Sequence, residues 1–184
     1  MSNTALNVTA GKPAISGAIS RAKLTEGLTI PKSTSDALTG FDSLGYVSED
    51  GVTNSNSPES ENVKAWGGDT VLNTQTDRAD TFQVKLIEAL NEDVLKAVYT
   101  SGNVTKDEST GEVTITANAT EMEEACWVID TILREGRKKR IVIPDGKIAS
   151  IGDIVYKDDE PVGYELTISA MPDAEGNTHY EYIL

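Results

Sequence analysis

The sequence predicts a mainly β protein, an antiparallel β-sandwich or a partly closed barrel, with one flanking α-helix. Three observations lead to this prediction. Apolar side chains recur at every second position in several runs, as on strands that bury one face. Polar turn sequences separate these runs at the spacing typical of antiparallel sandwiches and barrels. A clear helical pattern follows Asn91.

The alternation is clearest in residues 82–86, 113–117 and 164–171. Asp50-Gly51 and Glu135-Gly136 are tight-turn dipeptides, and the second of them predicts a hairpin. Longer polar connections between strands are predicted at residues 107–111, 157–163 and 173–177.

The helix after Asn91 has start and stop signals. Asn91 can cap its first turn, two acidic residues follow at its positive end, and Gly102 can close it. Its apolar stripe, which we expect to cover one sheet face, is Val94, Leu95 and Val98. A second capping pattern, Thr120 with Glu123, predicts a turn or a single helical turn over residues 120–125.

Two segments are predicted to lie outside the core. Residues 1–13 are polar, lack a clear period and end at a proline, which predicts a flexible N-terminal arm. Residues 54–62 contain no aliphatic or aromatic side chain, which predicts a long flexible loop between strands unless a partner orders it. The remaining chain, 14–184, is expected to form a single domain that includes this loop.

Composition argues against several classes of function. The 184 residues carry 16 Lys and Arg against 30 Asp and Glu, a net charge of −14, which disfavours electrostatic binding of nucleic acid or an anionic membrane. One cysteine, Cys126, and one histidine, His179, leave little material for a zinc site or for nucleophilic catalysis. We therefore expect no catalytic residue, cofactor or metal. No secretory signal or apolar span is visible, so a soluble protein made in the cytoplasm is expected.

The most distinctive stretch is residues 64–69, Lys-Ala-Trp-Gly-Gly-Asp. The two glycines permit a positive φ or a close backbone approach. Trp66 stands directly after the predicted loop, so it could anchor that loop when the loop docks.

A basic run, Arg137-Lys138-Lys139-Arg140, interrupts a strongly acidic chain. On a strand these side chains point alternately to the two faces. Two interpretations stay open, protection of a sheet edge and pairing with an acidic surface of a neighbouring copy.

Three other polar sites have plain structural interpretations. His179 is expected at the surface or on an edge strand. Cys126 is expected to be a small buried hydrophobic residue. For the acidic residues 158–160, a solvated turn is favoured over a cation site because the ligand spacing of a calcium loop is missing.

The order of these features resembles the major tail proteins of long, non-contractile-tailed bacteriophages. The similarity covers most of the chain. It is carried by residues 45–52, 64–69, 81–86, the helix after Asn91, and residues 140–144, 163–167 and 172–176.

This resemblance implies a β-sandwich or partly closed barrel that forms hexameric rings around a channel. The rings would stack through the arm, residues 1–13, and through a stacking loop at residues 54–69. It implies further copies of the chain, a tape-measure protein, a tail terminator and distal tail proteins as partners, in the virion tail after assembly in the host cytoplasm. The candidate interface residues are Asn54, Asn56, Pro58, Glu59, Glu61, Lys64, Trp66, Gly67, Gly68, Arg137, Lys138, Lys139 and Arg140.

The charge agrees with a channel for DNA. A basic wall would bind each phosphate and stall transit, whereas an acidic or neutral wall leaves the duplex mobile without specific binding. We expect some acidic side chains to line the lumen. The alternatives are a tube-ring protein of a contractile or secretion apparatus, or a carbohydrate-binding β-sandwich adhesion module, which would need exposed aromatic side chains; an acidic hydrolase comes third.

Overall fold

The computed structural model describes residues 4–15 and 17–184. The protein is mainly β, with 47% of residues in strands and 9% in helices, and its sheet is sandwich-like and not closed into a barrel. The predicted antiparallel β fold with one α-helix is therefore confirmed. The strands are β1 Lys12–Pro13, β2 Ile19–Lys23, β3 Asp42–Ser43, β4 Val47–Lys64, β5 Thr70–Leu86, β6 Val104–Lys106, β7 Val113–Ile115, β8 Glu124–Ile132, β9 Lys138–Ile151, β10 Tyr164–Met171 and β11 Tyr180–Ile183, and the helix is α1 Glu92–Tyr99.

Nine of these strands form one sheet with the order β3-β2-β8-β9-β10-β5-β4, to which β1 adds beside β8 and β11 beside β9. Every pairing in it is antiparallel. Strand β9 is shared, because residues 139–142 pair with β11 and residues 145–151 pair with β10. Strands β6 and β7 form a separate short hairpin.

The core confirms the expected alternation for residues 82–86 and 164–171. It does not for residues 113–117, since β7 ends at Ile115 and both Ile115 and Ala117 are exposed. Phe82, Val84 and Leu86 of β5 are buried, as are Leu166 and Ile168 of the adjacent β10. Trp127 of β8 is fully buried against them, and the apolar stripe of α1 completes the same cluster. The hairpin at Glu135-Gly136 is confirmed as well, with φ angles of 62° and 78°.

Helix α1 begins as predicted and ends differently. The Asn91 side chain accepts a hydrogen bond from the backbone of Asp93 at 3.0 Å. Gly102 does not close the helix. Thr100 takes a φ of 69° directly after Tyr99, and its hydroxyl accepts a bond from Asn103 at 3.0 Å. A side-chain hydrogen bond thus supports a backbone conformation that glycine usually supplies.

Two local predictions are wrong. Residues 120–125 form no helical turn, because Glu123 bonds to Arg21 and Lys23 of β2 instead of capping a helix. Asp50-Gly51 is not a turn but part of β4, where Gly51 has a φ of 70° and the register with β5 shifts. Both sequence patterns are compatible with a turn, but the ion pairs of Glu123 and the pairing of β4 with β5 stabilise other local structures instead.

The predicted loop is also corrected. Residues 54–64 belong to β4 and pair continuously with β5, so the connection itself is short, residues 65–69. The reason is that strand pairing uses backbone groups and needs no apolar side chain. Pro58 is tolerated there because β4 is an edge strand, the position to which proline in sheets is largely confined.

The described part of the predicted arm, residues 4–13, contacts the body. Strand β1 pairs with residues 131 and 132 of β8. Arg134 donates its backbone N–H to Thr9 at 2.7 Å and its guanidinium to the carbonyl of Ala5 at 2.9 Å. Residues 1–3 of the predicted arm lie outside the described residues.

Candidate assembly surface

Strands β4 and β5 continue far beyond the body as a two-stranded ribbon. We call residues 55–79 the outer ribbon; all of them are exposed except the half-buried Asn56. Its strands have about ten residues each, so it reaches roughly 30 Å at about 3.3 Å per residue. Among the described strands, none but β4 pairs with residues 70–80 of β5. An isolated two-stranded hairpin is only marginally stable in water, so this segment favours completion by a partner.

The tip of the outer ribbon is tightly turned. Ala65 donates its backbone N–H to the carbonyl of Asp69 at 2.8 Å, and Gly68 donates to Ala65 at 3.0 Å. Gly67 and Gly68 have φ angles of 116° and 100°, which only glycine adopts without strain. The glycine pair of the sequence is therefore explained by this turn.

Apolar side chains gather at this tip. Trp66 is fully exposed at the turn. Val63 and Leu72 are cross-strand partners and so share one face, with exposures of 50% and 55%. Most other side chains of the outer ribbon are polar or charged, so the exposure of these apolar side chains to water at the tip is unfavourable.

The other predicted loop residues have different surroundings. Asn56 accepts a bond from Arg78 at 2.5 Å, so it holds the two strands together. The side chains of Pro58, Glu59, Glu61 and Lys64 lie on exposed residues of β4 and are accessible to a partner.

The outer ribbon meets the body at a polar cluster that we call the ribbon root: Asn54, Asp80, Thr178 and His179. Asp80 is buried and accepts bonds from Asn54 at 2.8 Å, Thr178 at 2.5 Å and His179 at 2.6 Å. Burial alone would raise the pKa of Asp80, but the bonds from Thr178, Asn54 and His179 together lower it. The root thus joins both ribbon strands to the segment before β11.

His179 is therefore not a free surface residue. It is half-buried, precedes β11 and packs edge-on against Phe82 with ring centroids 5.3 Å apart. Sequence reasoning named Asn54 as an interface candidate and His179 as a surface residue, but it missed the cluster that they form with Asp80 and Thr178, because its members are scattered along the chain.

The basic run is divided by the structure. Arg140 is buried; it binds the Asp130 carboxylate with two bonds of 2.7 and 2.8 Å and donates to the carbonyls of Ser33 and Asp36. Lys139 pairs with Glu181 at 2.9 Å. Edge protection is wrong, since β9 here lies between β8 and β11. Exposed residues of the run are Arg137 and Lys138.

The remaining candidates, Cys126 and the acidic residues 158–160, have the structural roles that the sequence analysis favoured. Cys126 is fully buried as predicted, and burial, with a smaller effect of Asp145, raises the pKa of its thiol to about 12. Residues 158–160 are exposed in the connection before β10, and Glu160 pairs with Lys157 at 3.3 Å.

Across residues 4–15 and 17–184, no three His, Cys, Asp or Glu side chains are grouped so that they could hold a metal ion. In the same part of the chain, no helix has the length and apolar character needed to cross a membrane.

An open, sandwich-like sheet with a long exposed ribbon and an apolar tip is typical of proteins that associate with further subunits. The model of the family described as phage tail tube protein matches residues 5–184, essentially the whole chain. The chain belongs to the phage tail tube protein family, and its role is that of a structural component of a bacteriophage tail. No curated protein matches the chain significantly.

Proposed function

We propose that the chain assembles into hexameric rings that stack into the tail tube, with the outer ribbon as the stacking element. The observation that carries this proposal is the ribbon itself, exposed on both faces and ending in an apolar tip. Such a segment has few contacts with its own body to give up when it docks. Its burial by a neighbouring copy lowers the free energy, because apolar surface is removed from water. Ring formation and the number of copies come from the family resemblance.

The proposed tube is an acidic conduit for the genome. A net charge of −14 per subunit, repeated around a ring, supplies a repellent surface although salt limits its range to about 8 Å. DNA would pass without specific binding, since 30 acidic residues against 16 basic ones make the subunit as a whole repel phosphates. Arg137 and Lys138 remain candidates for contacts with an acidic neighbour rather than with DNA.

The other proposed partners follow from family membership. They are a tape-measure protein inside the lumen and terminator and distal tail proteins at the two ends of the tube, in a tail assembled in the host cytoplasm. We propose no catalytic activity and no cofactor. His179 is bound to Asp80, and the Cys126 thiol is buried and protonated at neutral pH.

The test removes the outer ribbon without disturbing the root. Replacing residues 57–79 by Asn-Gly reconnects Asn56 and Asp80, which are cross-strand partners, through a two-residue turn. We expect the shortened subunit to keep a cooperative thermal unfolding transition, and we expect a loss of tubes in negative-stain electron microscopy. Tubes of normal length from the shortened chain would refute the stacking role. A full-length chain that stays monomeric at high concentration would refute the tube itself.

A further inference from the structure

A shallow apolar groove of about 530 Å³, here called the basal groove, lies between the end of β5 and the start of β10. Its lining is Ile87, Glu88, Ala89, Leu90, Asn91 and Val162. Leu90 is 96% exposed, so the described body leaves it uncovered. Tyr46 lies beside the groove, bonded through its backbone to Ile87 and to the Glu88 carboxylate, and its ring is exposed.

The basal groove and the apolar tip lie at opposite ends of the same ribbon. Val47 pairs with Leu86 at the groove end, and Lys64 pairs with Thr70 at the tip. About sixteen residue steps separate these ends, or roughly 50 Å of strand. Two unlike apolar patches at opposite ends of one copy cannot satisfy each other within that copy. A contact between them would be heterologous and would repeat from copy to copy in one direction.

Charge favours the same pairing. Lys64 is the single cation between residues 54 and 77, and it stands two positions before Trp66. The margin of the groove is acidic, with Glu88 in the lining and Asp93 in the first turn of α1. Burial, and then the nearby Asp42 carboxylate, raise the pKa of Asp93 against a smaller opposing effect of Lys96, so a further cation placed there would relieve the remaining repulsion.

The area that one contact between tip and groove can bury is small, so such contacts are expected to stabilise an assembly only when several form together. An aromatic side chain such as Trp66 covers about 150–250 Å² when buried, and Val63, Leu72 and Leu90 add less each. One contact of this kind falls below the 1,200–2,000 Å² that a stable pair of proteins typically buries. Several such contacts made together around a ring gain from effective concentration, so stacking rather than pairing of single subunits is the expected outcome.

We infer that the apolar tip of one copy docks into the basal groove of the next copy, with Trp66 against Leu90 and Val162 and with Lys64 over the acidic margin. This inference rests on the proposed function, because it names the receptor surface of the stacking element. The apolar tip gains the cover that its own body does not give it, and each copy offers one tip and one basal groove.

Directed cross-linking tests the inference while leaving Trp66 in place. One variant carries Ala65→Cys and another carries Val162→Cys; the native Cys126 is buried and does not compete. After assembly and treatment with a short bismaleimide, we expect the mixed single variants to give covalent dimers. A chain that carries both substitutions should give a ladder of higher oligomers, because the contact repeats head to tail. The matched control combines Ala65→Cys with Ile183→Cys, an exposed residue of β11, and should give no cross-link.

Electron microscopy of the same samples tests the contact between tip and groove separately from the proposed tube. Tubes without 65–162 cross-links, or with equal cross-linking of the control, would overturn the inference and leave the tube intact. Cross-linked ladders without tubes would support the contact and overturn the tube. Samples with neither would overturn both. In addition, Leu90→Ser should raise the concentration needed for tube formation about tenfold, and an unchanged threshold would count against the groove.

Discussion

The inner and outer parts of the β4–β5 ribbon differ although the same two strands form both. In the inner part, residues 81–86 of β5 pair with β10 as well as β4, and Phe82, Val84 and Leu86 are buried. In the outer part the pairing continues, but every residue except Asn56 is exposed. The comparison teaches that strand pairing shapes a segment, whereas burial of apolar side chains stabilises it.

The change between the two parts occurs at the ribbon root. Asp80 is buried, and its neighbour Ala79 is exposed. The Asp80 carboxylate accepts a bond from Asn54 of the partner strand, and bonds from Thr178 and His179 tie the ribbon to the segment before β11 at this point. We therefore expect changes in the inner part to affect folding, changes at the root to affect folding less, and changes in the outer part to affect assembly.

The largest effect is expected from a pair of tryptophan substitutions. Trp127→Ala removes a fully buried side chain whose indole donates to the Gly146 carbonyl at 3.1 Å, so we expect a loss of about 3–5 kcal/mol in the free energy of unfolding. Trp66→Ala should change that free energy by less than about 0.5 kcal/mol. Urea denaturation measures both values. Equal losses would contradict the division between body and outer ribbon.

At the root, Asp80→Ala leaves three donors without their acceptor. We expect a loss of about 2 kcal/mol, since unsatisfied buried groups cost about 1–3 kcal/mol. Asp77→Ala removes an exposed carboxylate three positions away on the outer ribbon and serves as the control, with a change near zero. Thermal unfolding compares the two variants. A neutral Asp80→Ala would mean that the root does not hold the ribbon.

Acid should weaken the body through Glu123. Burial would raise the pKa of this carboxyl, but bonds from Lys23, Arg21 and Ser101 lower it from 4.5 to about 2. Between these two pKa values the unfolded chain binds a proton at Glu123 that the folded chain does not bind. The free energy of unfolding therefore falls as the pH drops from about 5 to 2. Glu123→Gln should flatten this part of the stability curve. An unchanged slope would show that other groups govern acid unfolding.

The smallest effect on folding is expected from Leu72→Thr at the apolar tip. The side chain is 55% exposed, so its loss should change the free energy of unfolding by less than about 0.5 kcal/mol. Tube formation, followed by light scattering, should slow because the tip loses apolar area. The control is Thr74→Ser on the same strand, which should leave both measurements unchanged. Assembly of Leu72→Thr at the normal rate would show that the apolar tip does not contribute to assembly, contrary to the role assigned to the outer ribbon.

The candidate surface could be predicted from the sequence only in part. The sequence drew attention to Trp66 and the glycine pair, and these residues form the turn at the tip. It also predicted a flexible loop where the structure has paired strands, because a composition without apolar side chains predicts the absence of a core and says nothing about backbone pairing. The alternation of the basic run between two faces could be predicted, but the burial of Arg140 opposite Asp130 could not.

The sequence by itself determined the alternating strands, the start of α1, the hairpin at Glu135-Gly136 and the phage tail tube family. Each of these depends on neighbours a few residues apart, or on the order of motifs along the chain. Only the tertiary structure decided where the ribbon leaves the body, which charges are buried and which apolar residues stay exposed. The physical reason is distance along the chain: Asp80 and His179 are 99 positions apart, and Arg140 meets the Ser33 carbonyl across 107 positions. No local pattern records such pairs.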